Sequence, residues 1–152
     1  MRNDTRGRRR LVGDVYVRPA VMRWIRATII GVLTGIVGGL GTFVFSNTDV
    51  SPIAGDPKLA LLLIVASGVY THLFAADLRE SFTAAGIAFL VGAVVCIGAW
   101  VWPVYALGYT GVLAELVGAP RLRNGVVNVI TIYLMVFGAS YLTTLSLAAT
   151  QE

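Results

Sequence analysis

ATIIGVLTGIVGGLGTFVFS, residues 27–46, runs for twenty residues without a charge, and its reading decides the fold. Roughly 20 helical residues at a rise of 1.5 Å cover a hydrocarbon core of about 30 Å, so the stretch is long enough to cross a bilayer. At 100° per residue, Ala27, Thr28, Gly31, Thr34, Gly35, Gly38, Gly39, Gly41, Thr42 and Ser46 fall on one arc of about 160°. Ile29, Ile30, Val32, Leu33, Ile36, Val37, Leu40, Phe43 and Val44 fill the other arc, and only Phe45 breaks the separation. Gly31, Gly35 and Gly39 form a GxxxGxxxG series. Such a series lets a second backbone approach closely, in a solvent where burying bulky apolar side chains gives little association. The small side is therefore expected to face protein and the bulky side lipid.

The whole composition agrees with that reading. The chain has 152 residues, 57% hydrophobic and 13% charged, whereas a soluble domain carries about 25% charge. One small membrane bundle is the expected domain. Cys96 is the single cysteine, which excludes an intrachain disulfide and a multi-cysteine metal cage. The net charge of +4 is unevenly placed: residues 1–26 hold eight arginines against Asp4 and Asp14, a local excess of six, so the remainder nets minus two. Basic residues beside a first span are a topology signal, with the basic side cytoplasmic, and not a nucleic-acid footprint. Residues 1–18 read as a cytoplasmic tail. Arg8, Arg9 and Arg10, with Arg23, Trp24 and Arg26 at the entry to the first span, are expected to contact lipid headgroups.

Three further spans follow from the same reasoning, at about 59–76, 82–102 and 125–149. Asp56 and Pro57 are a helix cap and a first-turn proline for the second span. The short polar turn from Asp77 to Ser81 makes the second and third spans antiparallel neighbours. Ala84, Ala88, Gly92 and Cys96 recur at intervals of four, a small stripe expected to touch Gly31, Gly35, Gly38 and Gly39 of the first span. Residues 104–119 are too apolar for an ordinary loop and short for a span. They read as a brief interfacial helix over about 111–117, stopped by Gly118 and Pro120, with a re-entrant or fifth crossing as the rival. The fold class is thus all-α: a polytopic integral membrane protein, a four-helix transmembrane bundle over residues 19–150, with both termini cytoplasmic.

Few residues offer chemistry. His72 could ligate a metal or haem or pass protons, but it lies about 7 to 8 Å from the end of its span. It has no second histidine or partner cysteine, and reads as a hydrogen-bonded residue at the membrane edge. Asp77, Arg79 and Glu80 read as turn charges. Asn128, Thr131 and Ser146, on one side of the last span, could line a polar path. Alternatively they bond other helices, with Tyr133, Phe137 and Tyr141 striping the opposite side. No GxSxG, HExxH or phosphate loop occurs. The expectation is a non-catalytic, multi-pass cell-membrane protein without cofactor or metal. It would be a structural or accessory component that assembles with itself or a larger membrane complex through the glycine face. The alternatives are a small-solute or ion transporter, and a redox or cofactor-binding subunit using His72.

Overall fold

The first twenty-residue run is part of a longer helix. A computed structural model describes residues 19–47 and 56–150. They form α1 (Pro19–Ser46), α2 (Pro57–Leu73), α3 (Leu78–Ala106), α4 (Val112–Asn128), a π-helical turn (Val129–Tyr133) and α5 (Leu134–Ala149). Strands are absent among the described residues. Arg8, Arg9, Arg10 and the rest of the basic tail lie outside the described residues, as does most of the α1–α2 connection. α4, the π turn and α5 make one continuous rod. Val21–Ser46, Leu78–Ala106 and Val112–Ala149 are long and apolar enough to cross a membrane, while α2 has 17 residues. The outward surface matches that solvent: Leu33, Leu90, Val94 and Met135 are 61% to 71% exposed, a burden no water-soluble monomer carries over so much of its surface.

α1 and α3 run parallel, because Gly31, Gly35 and Gly39 meet Ala84, Ala88 and Gly92 in the same order. A Cβ on Gly31 would sit 2.7 Å from the Ala84 carbonyl oxygen, and one on Gly35 would sit 2.6 Å from that of Ala88. At Gly39 it would sit 2.9 Å from the Gly92 Cα. Only hydrogen fits between these backbones. Ile29, Leu33, Ile36, Val37 and Leu40 of the bulky arc are exposed, whereas Ile30 is buried with Ala27 and Ala84. α2 packs antiparallel on α1, with Thr71 Oγ1 donating to Thr34 Oγ1 at 2.9 Å and Ser67 lying against Gly38. The glycine face expected to meet a partner is thus filled by α2 and α3 of the same chain.

The last rod lies antiparallel to α3. Gly125 packs on Ile97 and Trp100, Tyr133 donates its hydroxyl to the Ala88 carbonyl at 2.8 Å, and Tyr141 reaches Ser81. Tyr133 is fully buried, wedged against Gly38 and Gly92, with Phe137 and Tyr141 below it at 4% and 5% exposure. Here the structure corrects the expectation that the polar side of this helix faces protein. The aromatic stripe points inward because the Tyr133 ring fills the notches at Gly38 and Gly92, while Gly68 lets the α5 backbone at Phe137 and Tyr141 come close to α2. Thr131, Thr143 and Ser146 point outward, and each donates to the carbonyl four residues before it at 2.8 Å. A hydroxyl satisfied on its own helix has no need of a neighbouring one.

The expected stop at Gly118 and Pro120 is absent too, and no separate interfacial helix at 111–117 forms. Gly108 and Gly111, at φ 71° and 60°, turn the chain tightly after α3, and α4 then runs through Pro120. Pro120 is exposed, so the Leu116 carbonyl that loses its N–H partner lies on the open side of α4. The inner side packs Gly118 along Val104 of α3.

Gly39→Ala is expected to lower the unfolding stability in detergent by roughly 1–3 kcal/mol, because the obstruction is backbone and cannot rotate away. Gly138→Ala, where nothing lies within 4 Å of the added methyl, is expected to leave stability unchanged or raise it by up to about 1 kcal/mol. Thermal or denaturant unfolding of the two variants side by side checks this.

Candidate functional site

The parallel run of α1 and α3 brings the start of both helices to one end of the bundle, where the α2–α3 turn also lies. Asp77 caps α3 from an extended backbone, its Oδ1 accepting the Glu80 N–H at 2.7 Å. Glu80, three residues on, turns back and accepts the Ala76 N–H on Oε2 at 2.9 Å. Asp-x-x-Glu is the spacing of a capping box, with the return bond here made one residue before the cap. The consequence is a carboxylate with its side chain 0% exposed.

Two arginines from α1 face these acids. Arg26 donates through Nη2 to the Phe74 carbonyl at 2.8 Å and holds Nε 3.4 Å from Glu80 Oε1. Arg23 Nη1 stands 3.5 Å from Asp77 Oδ2. Both arginine side chains are about half exposed, at 53% and 55%, so these residues, expected at the headgroups, also clamp the turn. Trp24 is 63% exposed. The hydrogen bond from the Glu80 N–H holds the Asp77 carboxyl below its ordinary value. Partial desolvation opposes this, and the Arg23 guanidinium adds to the lowering.

His72 belongs to the same end. Its Nδ1 is 2.9 Å from Ser81 Oγ, which in turn is 2.9 Å from the Tyr141 hydroxyl, and the His72 and Tyr141 rings meet edge to face at 6.1 Å. This chain of hydrogen bonds joins α2, α3 and α5. Ser81 is wholly buried, so its hydroxyl meets neighbouring side chains and has no room for a substrate carbonyl. Among the described residues no group of three His, Cys, Asp or Glu side chains is placed to hold a metal ion.

The remaining candidates are scattered. Asn128 lies toward the other end, in a cleft of about 310 Å³ with Ser46, Trp100 and Asn124. Thr131 and Ser146 are on the outer surface, so the three do not line one path inside this single bundle. Gly31, Gly35, Gly39, Ala84, Ala88 and Gly92 lie together at the α1–α3 contact, while Gly38 faces Ser67 of α2 and the Tyr133 ring. Sequence reasoning missed Glu80 and the Ser81–Tyr141 pair. The Asp77–Glu80 spacing was the available signal for the first; the second joins residues 60 apart and had none. Comparisons with protein-family models, curated proteins and solved structures give no match to this chain.

Arg26→Gln leaves Glu80 buried without a cation and is expected to lower stability by roughly 1–3 kcal/mol, whereas Arg23→Gln, at an exposed pair, should change little. The Asp77 contribution is complete above the unfolded carboxyl's value near about 3.9 and is lost as pH falls through the lower folded value. The melting temperature should therefore drop on acidification below about pH 4, and Asp77→Asn should flatten that drop. Circular dichroism melts across pH test both.

Proposed function

We propose that this chain is a non-catalytic, multi-pass protein of the cell membrane. In this reading it makes four crossings, has both termini in the cytoplasm, and serves as a structural or accessory component of a membrane assembly. The observation that carries this reading is the contrast between an apolar exterior and a closed interior. The centre is filled by backbone contact at Gly39 and Gly92 and by the Tyr133 ring, and the hydroxyls of Thr34, Thr42, Ser67 and Tyr133 all donate to helix carbonyls. A solute path needs free polar groups along its length, and these are engaged. The polar ends at Asp56 and at the Asp77–Glu80 turn support a crossing by α2 despite its 17 residues, since short helices draw polar ends to the interface. Eight arginines in residues 1–26 support the cytoplasmic assignment of that end. Because the glycine groove is occupied within the chain, self-association or docking to a larger complex would use the outward faces of α3 and α5.

Reconstitution tests this. The protein should stay in liposomes through alkaline carbonate extraction. In a Cys96→Ala background, single cysteines placed at both ends of the chain should label from the same side. Liposomes carrying it should hold ions and small neutral solutes as well as empty ones. Solute flux abolished by Asn128→Leu would overturn the non-transport reading, and labelling of the two ends from opposite sides would overturn the four-crossing topology.

A further inference from the structure

Between the starts of α1 and α3 lies a cleft of about 360 Å³ walled by Arg23, Trp24, Ala27, Asp77, Arg79 and Glu80. We propose that it seats the headgroup of a singly charged phospholipid bearing a free hydroxyl, a polyol phosphodiester of the phosphatidylglycerol type. The phosphate meets Arg79 and Arg23, and the hydroxyl donates to Glu80 Oε1. The inference rests on the membrane reading above.

Three observations converge on that chemistry. Glu80 Oε1 is buried and accepts no hydrogen bond, although its partner oxygen accepts one from Ala76. Arg26 Nε stands 3.4 Å from this oxygen without hydrogen-bonding it, a buried acceptor short of a hydrogen bond is costly, and Glu80 walls the cleft from which a further donor can come. The charges at this end then fix what kind of donor it is. Arg26 stands by Glu80 and Arg23 by Asp77, while Arg79 has no ion pair among the described residues. Among the described residues the group therefore carries three guanidiniums against two carboxylates, an excess of one positive charge beside the positive end of α3. A monoanionic phosphodiester cancels that excess. With the phosphate in place no charge remains for an ammonium to offset, so a neutral hydroxyl is the donor that leaves the site balanced. Finally, Trp24, 63% exposed, and Ala27 form an apolar wall along the mouth, which suits a headgroup whose acyl chains run down the exposed flank of α1.

The test uses the full chain in nanodiscs containing phosphatidylcholine with an equal share of a second lipid of the same acyl chains. Lipid carried through gentle ejection is then counted by native mass spectrometry. The second lipid is phosphatidylglycerol, phosphatidylethanol or phosphatidylethanolamine. Phosphatidylethanol has the same charge as phosphatidylglycerol but no hydroxyl, so it isolates the Glu80 contact. One hydrogen bond to a charged group corresponds to roughly tenfold in retention. Phosphatidylglycerol should be retained about tenfold over phosphatidylethanol and over phosphatidylethanolamine. Arg79→Gln, at an exposed position, should lower phosphatidylglycerol retention several-fold with the melting temperature unchanged. Equal retention of phosphatidylglycerol and phosphatidylethanol overturns the proposal. So does preference for phosphatidylethanolamine, or undiminished retention by Arg79→Gln. A protein that stays integral in carbonate yet shows no such preference sinks this inference alone. Release from the bilayer sinks it together with the membrane reading.

Discussion

The bundle depends on peptide backbone touching peptide backbone between α1 and α3. In hydrocarbon, burying leucine against leucine only exchanges one apolar neighbour for another. What holds helices together is then close contact, dispersion and weak Cα–H···O bonds, all of which fall steeply with separation. Gly39 facing Gly92 brings the two backbones into direct contact, and Gly92 leaves a notch toward the last rod. Tyr133 fills that notch, and its hydroxyl ends on the Ala88 carbonyl, so the polar tip of the plug is satisfied where no water reaches.

The π turn follows from the same packing. Gly125, Val129, Tyr133, Phe137 and Tyr141 are all buried, at intervals of four along one rod. Each four-residue step overshoots a full α-helical turn by about 40°, so over four steps a straight α-helix would carry the last of them about 160° away from the first. A π turn takes one extra residue, which returns about 100° of that drift. Val129–Tyr133 is that turn. It lets Gly125 meet Trp100 at one end while Tyr141 meets Ser81 at the other.

Much of the helical class was legible because it depends on local runs. The charge-free stretch 27–46 separates into small and bulky arcs at 100° per residue, and from Gly31 to Thr42 the small arc is buried. The last rod was harder for a physical reason. From sequence, hydroxyls in oil read as needing another helix, yet Thr131, Thr143 and Ser146 each find an acceptor on their own, which frees them to face outward. The end of α4 was misplaced because proline and glycine read as stops from sequence. An exposed proline, however, interrupts only one hydrogen bond when the opposite face of the helix is held by α3. Glu80 was misread because its burial depends on Arg26, 54 positions earlier, and on the parallel run of α1 and α3 that brings them together.

Arg26 shows how length and charge are coupled at this end. α2, at 17 residues, is about 25 Å long, less than a hydrocarbon thickness of about 30 Å. In the proposed four-crossing arrangement its last carbonyls lie at the edge of the hydrocarbon, where an unmet carbonyl is costly. Arg26 donates to one of them, Phe74, and keeps its Nε beside Glu80. The same side chain thus closes a short helix and compensates a buried carboxylate. Removing Arg26 would leave both the Phe74 carbonyl and the buried Glu80 carboxylate without it. The arginine at the start of α1 is in this way a structural part of the turn, and the carboxylate beside it, one oxygen of which accepts no hydrogen bond, walls the neighbouring cleft.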